Sequence, residues 1–312
     1  MTLQQLEYIV ALDYERGFVK AANRMFVSQP TLTMQVKKLE EEVGFLIFDR
    51  SSKPLSSTML GEQFLQKARH IIREVKELKA MVSHETETVA GEYKIGIIPT
   101  LAPYLIPRFL PGFANAYQDI RMNILEMQSE DLIRDIKNDQ LDIGIMATPT
   151  GERQIREIPL FNEPFLGFFP RGHPLLRKDL INPVELDIND ILLLDEGHCF
   201  RNQSLHICKK ENKQAQHKKP IEFHTGSIET LKKLVLNGMG YTLVPELSVL
   251  DDKKNAGSFK RFHEPEPSRE ISMIVHSSFS RERMIEVLRN AIISNIPDHF
   301  TKKQHYIRVK WR

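Results

Sequence analysis

Two cysteines in 312 residues, Cys199 and Cys208, leave no disulfide framework on which to build a fold. A chain of this length needs none, because it can bury a core of its own. No apolar run approaches the ~18 residues that read as a membrane span. The opening "MTLQQLEYIVALDYERG" lacks the basic start and apolar stretch of a secretory signal. These absences predict a cytoplasmic protein without membrane contact, in which thiols are kept reduced. Charge of one sign is missing as well: 43 basic residues against 41 acidic leave a net +2. Any contact with nucleic acid must then come from local placement of charge. CxxC and HxxxH pairs are also absent, which predicts no zinc site.

What is present begins with helical periodicity. Leu6, Ile9 and Val10, then Phe18, Ala21, Ala22 and Met25, then Leu32, Val36, Leu39 and Val43 recur at the spacing of three short helices. Ser28 before Gln29 and Pro30 predicts the start of the third, as an N-cap followed by proline in the first turn. With Leu32, Val36 and Leu39 inward, Gln29, Thr31, Thr33 and Gln35 are left outward, followed by Lys37 and Lys38. Such amides, hydroxyls and lysines suit base edges and phosphates. "FLIFDRSSKPLSSTMLG" then reads as a wing, with Arg50 and Lys53 placed for the backbone.

The run "AANRMFVSQPTLTMQVKKLEEEVGFLIFDR" resembles the signature of LysR-type transcriptional regulators: an alanine pair, a Ser-Gln turn, a Leu-Glu pair and a Phe-x-Arg wing in that order. The resemblance implies promoter DNA as a partner, with Gln29, Thr31, Thr33 and Gln35 in the major groove and Arg50 on the backbone.

From Gly61 to Ser83, Phe64, Ala68, Ile71, Val75, Leu78 and Val82 alternate by four and three, a heptad seam that predicts pairing with a second copy. "SHETETVAGE" reads as a hinge. Beyond it, "EYKIGII", "RMNILEM" and "LDIGIMA" alternate with helical segments, predicting a mainly parallel sheet covered by helices. Further strands are expected at "ILLLDEG" and "IEFHT". The fold class is α+β overall. A winged helix-turn-helix spans residues 1–58, and a long dimerising linker helix with its hinge spans 59–90. A C-terminal α/β effector domain follows over 91–312, resembling the periplasmic-binding-protein-like effector domain of the LysR type. Its subdomain I is 91–162 plus 268–300 and its subdomain II 163–267. Thr100, Ser129, His198, Cys199 and Thr225 follow strand ends, where such sheets bind ligands. The basic tail "HFTKKQHYIRVKWR" is expected to be a solvated end.

The residues around "DEGHCFRNQSLHIC" leave the cysteines three readings: buried hydrophobes, zinc ligands or a redox pair. As a redox pair they carry a geometric demand. A helix would hold them about 13 Å apart, whereas a disulfide needs Cα atoms about 4.4–6.8 Å apart, so the bond would remodel the segment. Cys199 at a helix start, near a cation such as protonated His198 or Arg269, is expected to have a lowered pKa.

This segment, together with "GIIPTLAPYLIPRFLP" and "SIETLKKLVLNGMGYTLVPE", resembles the hydrogen-peroxide-sensing members of the LysR-type regulators. That resemblance implies a peroxidatic Cys199, a resolving Cys208, and Thr100, Ser129, His198 and Arg269 around the peroxide. It further implies no enzyme activity, no cofactor, a homotetramer built as a dimer of dimers, RNA polymerase as a partner, and glutaredoxin or thioredoxin as reductant. Bound to DNA, the protein would lie with the nucleoid. The alternative is a regulator answering a small metabolite in the effector cleft, with inert cysteines.

Overall fold

The computed structural model describes residues 1–83, 89–208, 224–302 and 306–311. Contacts divide the chain into Met1–Glu87 and Thr88–Arg312. In the first unit, helix α1 (Leu3–Glu15) opens with a capping box in which the Thr2 side chain accepts from the Gln5 N–H and the Gln5 side chain accepts from the Thr2 N–H. Helix α2 is Phe18–Arg24. Helix α3 (Gln29–Val43) is opened by Ser28, whose hydroxyl accepts from the Thr31 N–H, and closed by Gly44 at φ +81°. Leu12, Ala21, Leu32, Val36 and Leu39 from all three helices are buried together, each large side chain contributing roughly 1.5–3 kcal/mol on removal from water.

The wing is a minimal antiparallel pair, β1 (Phe48–Asp49) on β2 (Ser56–Ser57). Helix α4 (Met59–Ser83) divides the apolar positions between two faces. Leu65, Ala68 and Ile72 are buried in the domain's own core, while Ile71 and Leu78 are exposed. Ala68 therefore leaves the expected seam. Phe64 also turns aside, its ring meeting Phe45 edge-on at 5.7 Å. The side chain of Val82 and most of the expected hinge, 84–88, lie outside the described residues.

The second unit is a nine-stranded mixed sheet among the described residues. In chain order it contains β3 (Gly91–Ile97), α5 (Ala102–Ala116), β4 (Ile120–Glu126), α6 (Ser129–Lys137), β5 (Ile143–Thr148), β6 (Ile155–Phe168), β7 (Leu180–Ile181) and α7 (Cys199–Cys208). Then come α8 (Ile228–Leu236), β8 (Thr242–Pro245), β9 (Phe259–Phe262), β10 (Glu266–His276), α9 (Glu282–Ile293) and β11 (Tyr306–Arg308). The order is β4-β3-β5-β10-β6-β9-β7, with β11 beside β10 and β8 beside β6.

The sheet is less parallel than the βαβ rhythm implies. Strands β3, β4 and β5 are parallel, but β10 is antiparallel to both β5 and β6. The long central strands β6 and β10 thus cross the unit in opposite directions, and apolar clusters form at both ends: one around Ile97, Leu132, Ile145 and Met273, the other around Phe165, Phe168, Leu243 and Val244. The strand expected at "ILLLDEG" is reduced to one isolated bridge, Ile191 to Tyr241. Of "IEFHT", residues 221–223 lie outside the described residues and the rest is coil. The tail also departs from expectation. Instead of ending in solvent, β11 pairs with β10 and Trp311 is buried.

Candidate functional site

Cys199 and Cys208 are the first and last residues of the ten-residue helix α7. Both are free and buried, and helix geometry holds their Cα atoms about 13 Å apart. They belong to different apolar clusters, Cys199 to the first and Cys208 to the second. The buried face of α7 is Phe200, Gln203, Ser204, Ile207 and Cys208. Leu205 is only half-buried. Gly197 sets the helix entry: its φ of +89° suits glycine, and a Cβ would stand 2.3 Å from Gln128 Oε1.

Around the Cys199 sulfur stand the Arg269 guanidinium, the Ser129 hydroxyl and the backbone N–H groups of Cys199 and Phe200, all of which favour the thiolate. Burial outweighs them and pushes the thiol above its ordinary value. The expected lowered pKa is therefore overturned for the reduced fold, because an unsolvated anion costs more than these partners return. His198 is not the helping cation. Burial lowers its pKa against the pull of Asp195, favouring the neutral ring. That ring lies so close to Gly226 that a Cβ there would stand 2.8 Å from Nε2.

Arg269 is fully buried, as is Glu163. These residues are direct cross-strand partners in the β6–β10 register, and the ion pair closes at 2.8 Å. Arg269 Nη1 donates to Thr100 Oγ1 at 2.8 Å and Nη2 to the Thr100 carbonyl at 3.1 Å. Phe200 lies 5.2 Å below the guanidinium. Glu163 also accepts from the Leu247 N–H at 3.0 Å. Burial pulls its carboxyl upward, against Arg269 and that N–H. The Ser129 hydroxyl is buried without a well-directed hydrogen bond, leaving capacity for a small polar ligand at the thiol. Thr225, by contrast, serves a local turn by accepting from the Ser227 N–H. At the other end, burial raises the Cys208 thiol to about 11 beside Tyr241, whose hydroxyl donates to the Asp187 carbonyl.

Thr100, Ser129, Cys199 and Arg269 are thus brought together; Cys208 is held apart. Glu163 was missed in the sequence, although a lone acid within the apolar strand "FNEPFLGFF" signals a buried partner. Gln203, buried one turn beyond Cys199, was missed too.

On α3, Gln29 is exposed, whereas Thr31, Thr33 and Gln35 are half-buried. Thr31 shares a 2.8 Å hydrogen bond with Ser28, and Gln35 accepts from Gln5 at 3.2 Å. Met34, on the same exposed face, was missed. Arg50 is engaged internally: it pairs at 2.6 Å with buried Glu40, which also accepts from the Ile47 and Phe48 N–H groups.

A winged helix-turn-helix joined in sequence to a two-cluster α/β unit is the architecture of a bacterial one-chain regulator. Residues 3–62 match the bacterial regulatory helix-turn-helix proteins of the LysR family, and residues 86–296 match the LysR substrate binding domain. The chain belongs to the LysR family of bacterial regulators. Within it, the chain is 34% identical to the Escherichia coli K12 DNA-binding transcriptional dual regulator OxyR, covering 97% of this chain and 98% of the relative. It is also 34% identical to the Haemophilus influenzae hydrogen peroxide-inducible genes activator, over 95% and 97% of the two chains. Among solved structures, full-length OxyR from Pseudomonas aeruginosa, bearing a cysteine substitution, matches with a TM-score of 0.80 and 33% identity, over 95% of this chain and 99% of that one. A hydrogen-peroxide-bound OxyR cysteine mutant from Corynebacterium glutamicum matches at 0.65 and 26%, over 98% of both.

Proposed function

We propose that this chain is a cytoplasmic, DNA-binding transcriptional regulator that senses hydrogen peroxide through a reversible Cys199–Cys208 disulfide. The observation that carries the reading is the placement of the two cysteines at opposite ends of one helix and in separate apolar clusters, with the first beside Arg269, Thr100 and Ser129. A bond between them requires α7 to reorganise, which converts oxidation into a change of shape.

In this reading Cys199 is the peroxidatic residue. Thr100, Ser129, His198 and Arg269 bind the peroxide, and the Arg269 charge and helix N–H groups stabilise the thiolate as it forms. Cys208 resolves the sulfenic acid. The face of α3 carrying Gln29, Thr31, Thr33 and Gln35 reads promoter DNA, with Arg50 holding the wing through Glu40. Exposed Ile71 and Leu78 on α4 supply apolar surface for a second copy, within a dimer of dimers. RNA polymerase is the downstream partner, glutaredoxin or thioredoxin resets the disulfide, and no cofactor is used. The DNA-bound protein lies with the nucleoid. A metabolite-responsive regulator with inert cysteines is not favoured, since the near full-length relatives are named for hydrogen peroxide or OxyR.

The test is thiol mapping by mass spectrometry after stoichiometric hydrogen peroxide. The expected product is a Cys199–Cys208 disulfide, and a Cys208→Ser variant should stop at a trapped Cys199 sulfenic acid. Unmodified Cys199 under these conditions removes the proposal.

A further inference from the structure

The segment from Tyr306 to Trp311 is tied to both β10 and α7. Strand β11 pairs in parallel with Glu266–Ser268 of β10, and the Val309 N–H donates to the Ser268 carbonyl at 2.8 Å. Arg308 pairs with Glu270 at 2.5 Å. Trp311 is 3% exposed and packs in the apolar cluster that holds Cys199. Three consecutive carbonyls then face α7. Val309 O accepts from Gln203 Nε2 at 2.7 Å, Lys310 O meets His206 Nδ1 at 2.8 Å, and Trp311 O accepts from Asn202 Nδ2 at 3.1 Å. Residues 202, 203 and 206 share one side of the helix, and all three lie between the cysteines.

We propose that residues 306–311 form a positioning clamp for the thiol chemistry: they hold α7 in its dithiol conformation, and Cys208 reaches oxidised Cys199 only after Asn202, Gln203 and His206 release the three carbonyls. The proposal rests on the peroxide-sensing reading of this same site. The Cys199 thiolate attacks peroxide, the O–O bond breaks, hydroxide leaves and takes a proton to become water, and a sulfenic acid remains. Cys208 sulfur then attacks Cys199 sulfur; the S–O bond breaks, the S–S bond forms, and the second oxygen leaves as water with the Cys208 proton. Two thiols lose two electrons and the peroxide gains them. The clamp acts on the second step alone, because attack by peroxide needs no helix rearrangement while sulfur–sulfur contact does.

The double substitution Asn202→Ala, His206→Ala in the full-length protein removes two of the three hydrogen bonds from exposed side chains. Each such bond is worth a few-fold in equilibrium constant. The expected result is a condensation step about tenfold faster, with the dithiol–disulfide equilibrium moved about tenfold toward disulfide, or about 30 mV more negative in midpoint. Sulfenic acid formation, measured by trapping in the Cys208→Ser background, should stay within about twofold. Unchanged or slower condensation, or an unmoved midpoint, overturns the proposal.

A second measurement needs no clamp variant. Trp311 is the single tryptophan of the sequence, so intrinsic emission reports on the clamp. It should change when the wild-type disulfide forms and stay constant when Cys208→Ser stops at the sulfenic acid. Emission indifferent to the disulfide also overturns the clamp. If Cys199 resists peroxide altogether, the peroxide reading fails, and a disulfide driven by diamide still decides the clamp through the same midpoint and emission measurements.

Discussion

Glu163→Gln separates the charge of the buried pair from its shape. Both partners of the native pair are fully buried and 2.8 Å apart. The Leu247 N–H and Arg269 Nε now bond to different carboxylate oxygens, at 3.0 Å and 2.9 Å; the glutamine keeps one acceptor oxygen and turns its NH2 donor toward the other of these two donors. It loses the negative charge and one of the two acceptors. Arg269 cannot shed its proton, so it becomes a buried cation supported by the Thr100 oxygens and the Phe200 ring. Breaking a buried pair by removing one partner costs about 3–5 kcal/mol. With part of the hydrogen bonding kept, the lower end, about 3 kcal/mol, is expected. Native stabilities run about 5–15 kcal/mol, so the variant should fold.

The effect on Cys199 has the opposite sense. Arg269 pulls that thiol down against burial, and Glu163 offsets the same cation, so the neutral variant should favour the thiolate. Urea unfolding of the reduced protein measures the first effect. Ultraviolet absorbance of the thiolate against pH, in a Cys208→Ser background, measures the second. Stability should fall while the Cys199 titration moves to lower pH. A loss below about 1 kcal/mol, or a titration unmoved or moved upward, would refute the assignment of both residues to one electrostatic balance at the sulfur.

Cys208 makes stability depend on pH in a set direction. Its thiol is raised from 9.0 to about 11, so its contribution is complete below pH 9 and is lost as pH rises through about 11, a change of roughly 2–3 kcal/mol. Cys208→Ala should flatten that part of the pH dependence in denaturant titrations under reductant; identical slopes count against it. Phe26 is 96% exposed at φ +54°, so it has strain without burial. Phe26→Asn should raise stability by about 1 kcal/mol, and a lower melting temperature contradicts this. Arg50→Ala leaves the buried Glu40 carboxylate with two backbone donors and should cost about 1–2 kcal/mol without DNA present. Unfolding identical to wild type would make Arg50 a free surface cation.

Much of the first unit was legible because its determinants are local. The Ser28 cap, the proline after it and the 3–4 spacing of Leu32, Val36 and Leu39 specify α3 within a few residues. The cost of joining Cys199 to Cys208 was equally legible, since nine positions of helix have a known length. Arg50 and Ala68 were not. Periodicity says that a residue faces inward or outward, but not which of two available partners covers it, and here Glu40 and the core around α1 claimed them.

The sequence by itself determined the helix-turn-helix, the helical segment between the cysteines and the family signature, because each is written in spacings that neighbouring residues impose. Tertiary structure alone decided the state of the thiol. Arg269 meets Glu163 through a strand register 106 positions apart in sequence, the carbonyls of Val309, Lys310 and Trp311 reach α7 from about as far away, and Cys199 is raised rather than lowered because complete burial outweighs the nearby charge. Register and desolvation are properties of the assembled interior, and the string of residues around Cys199 does not contain them.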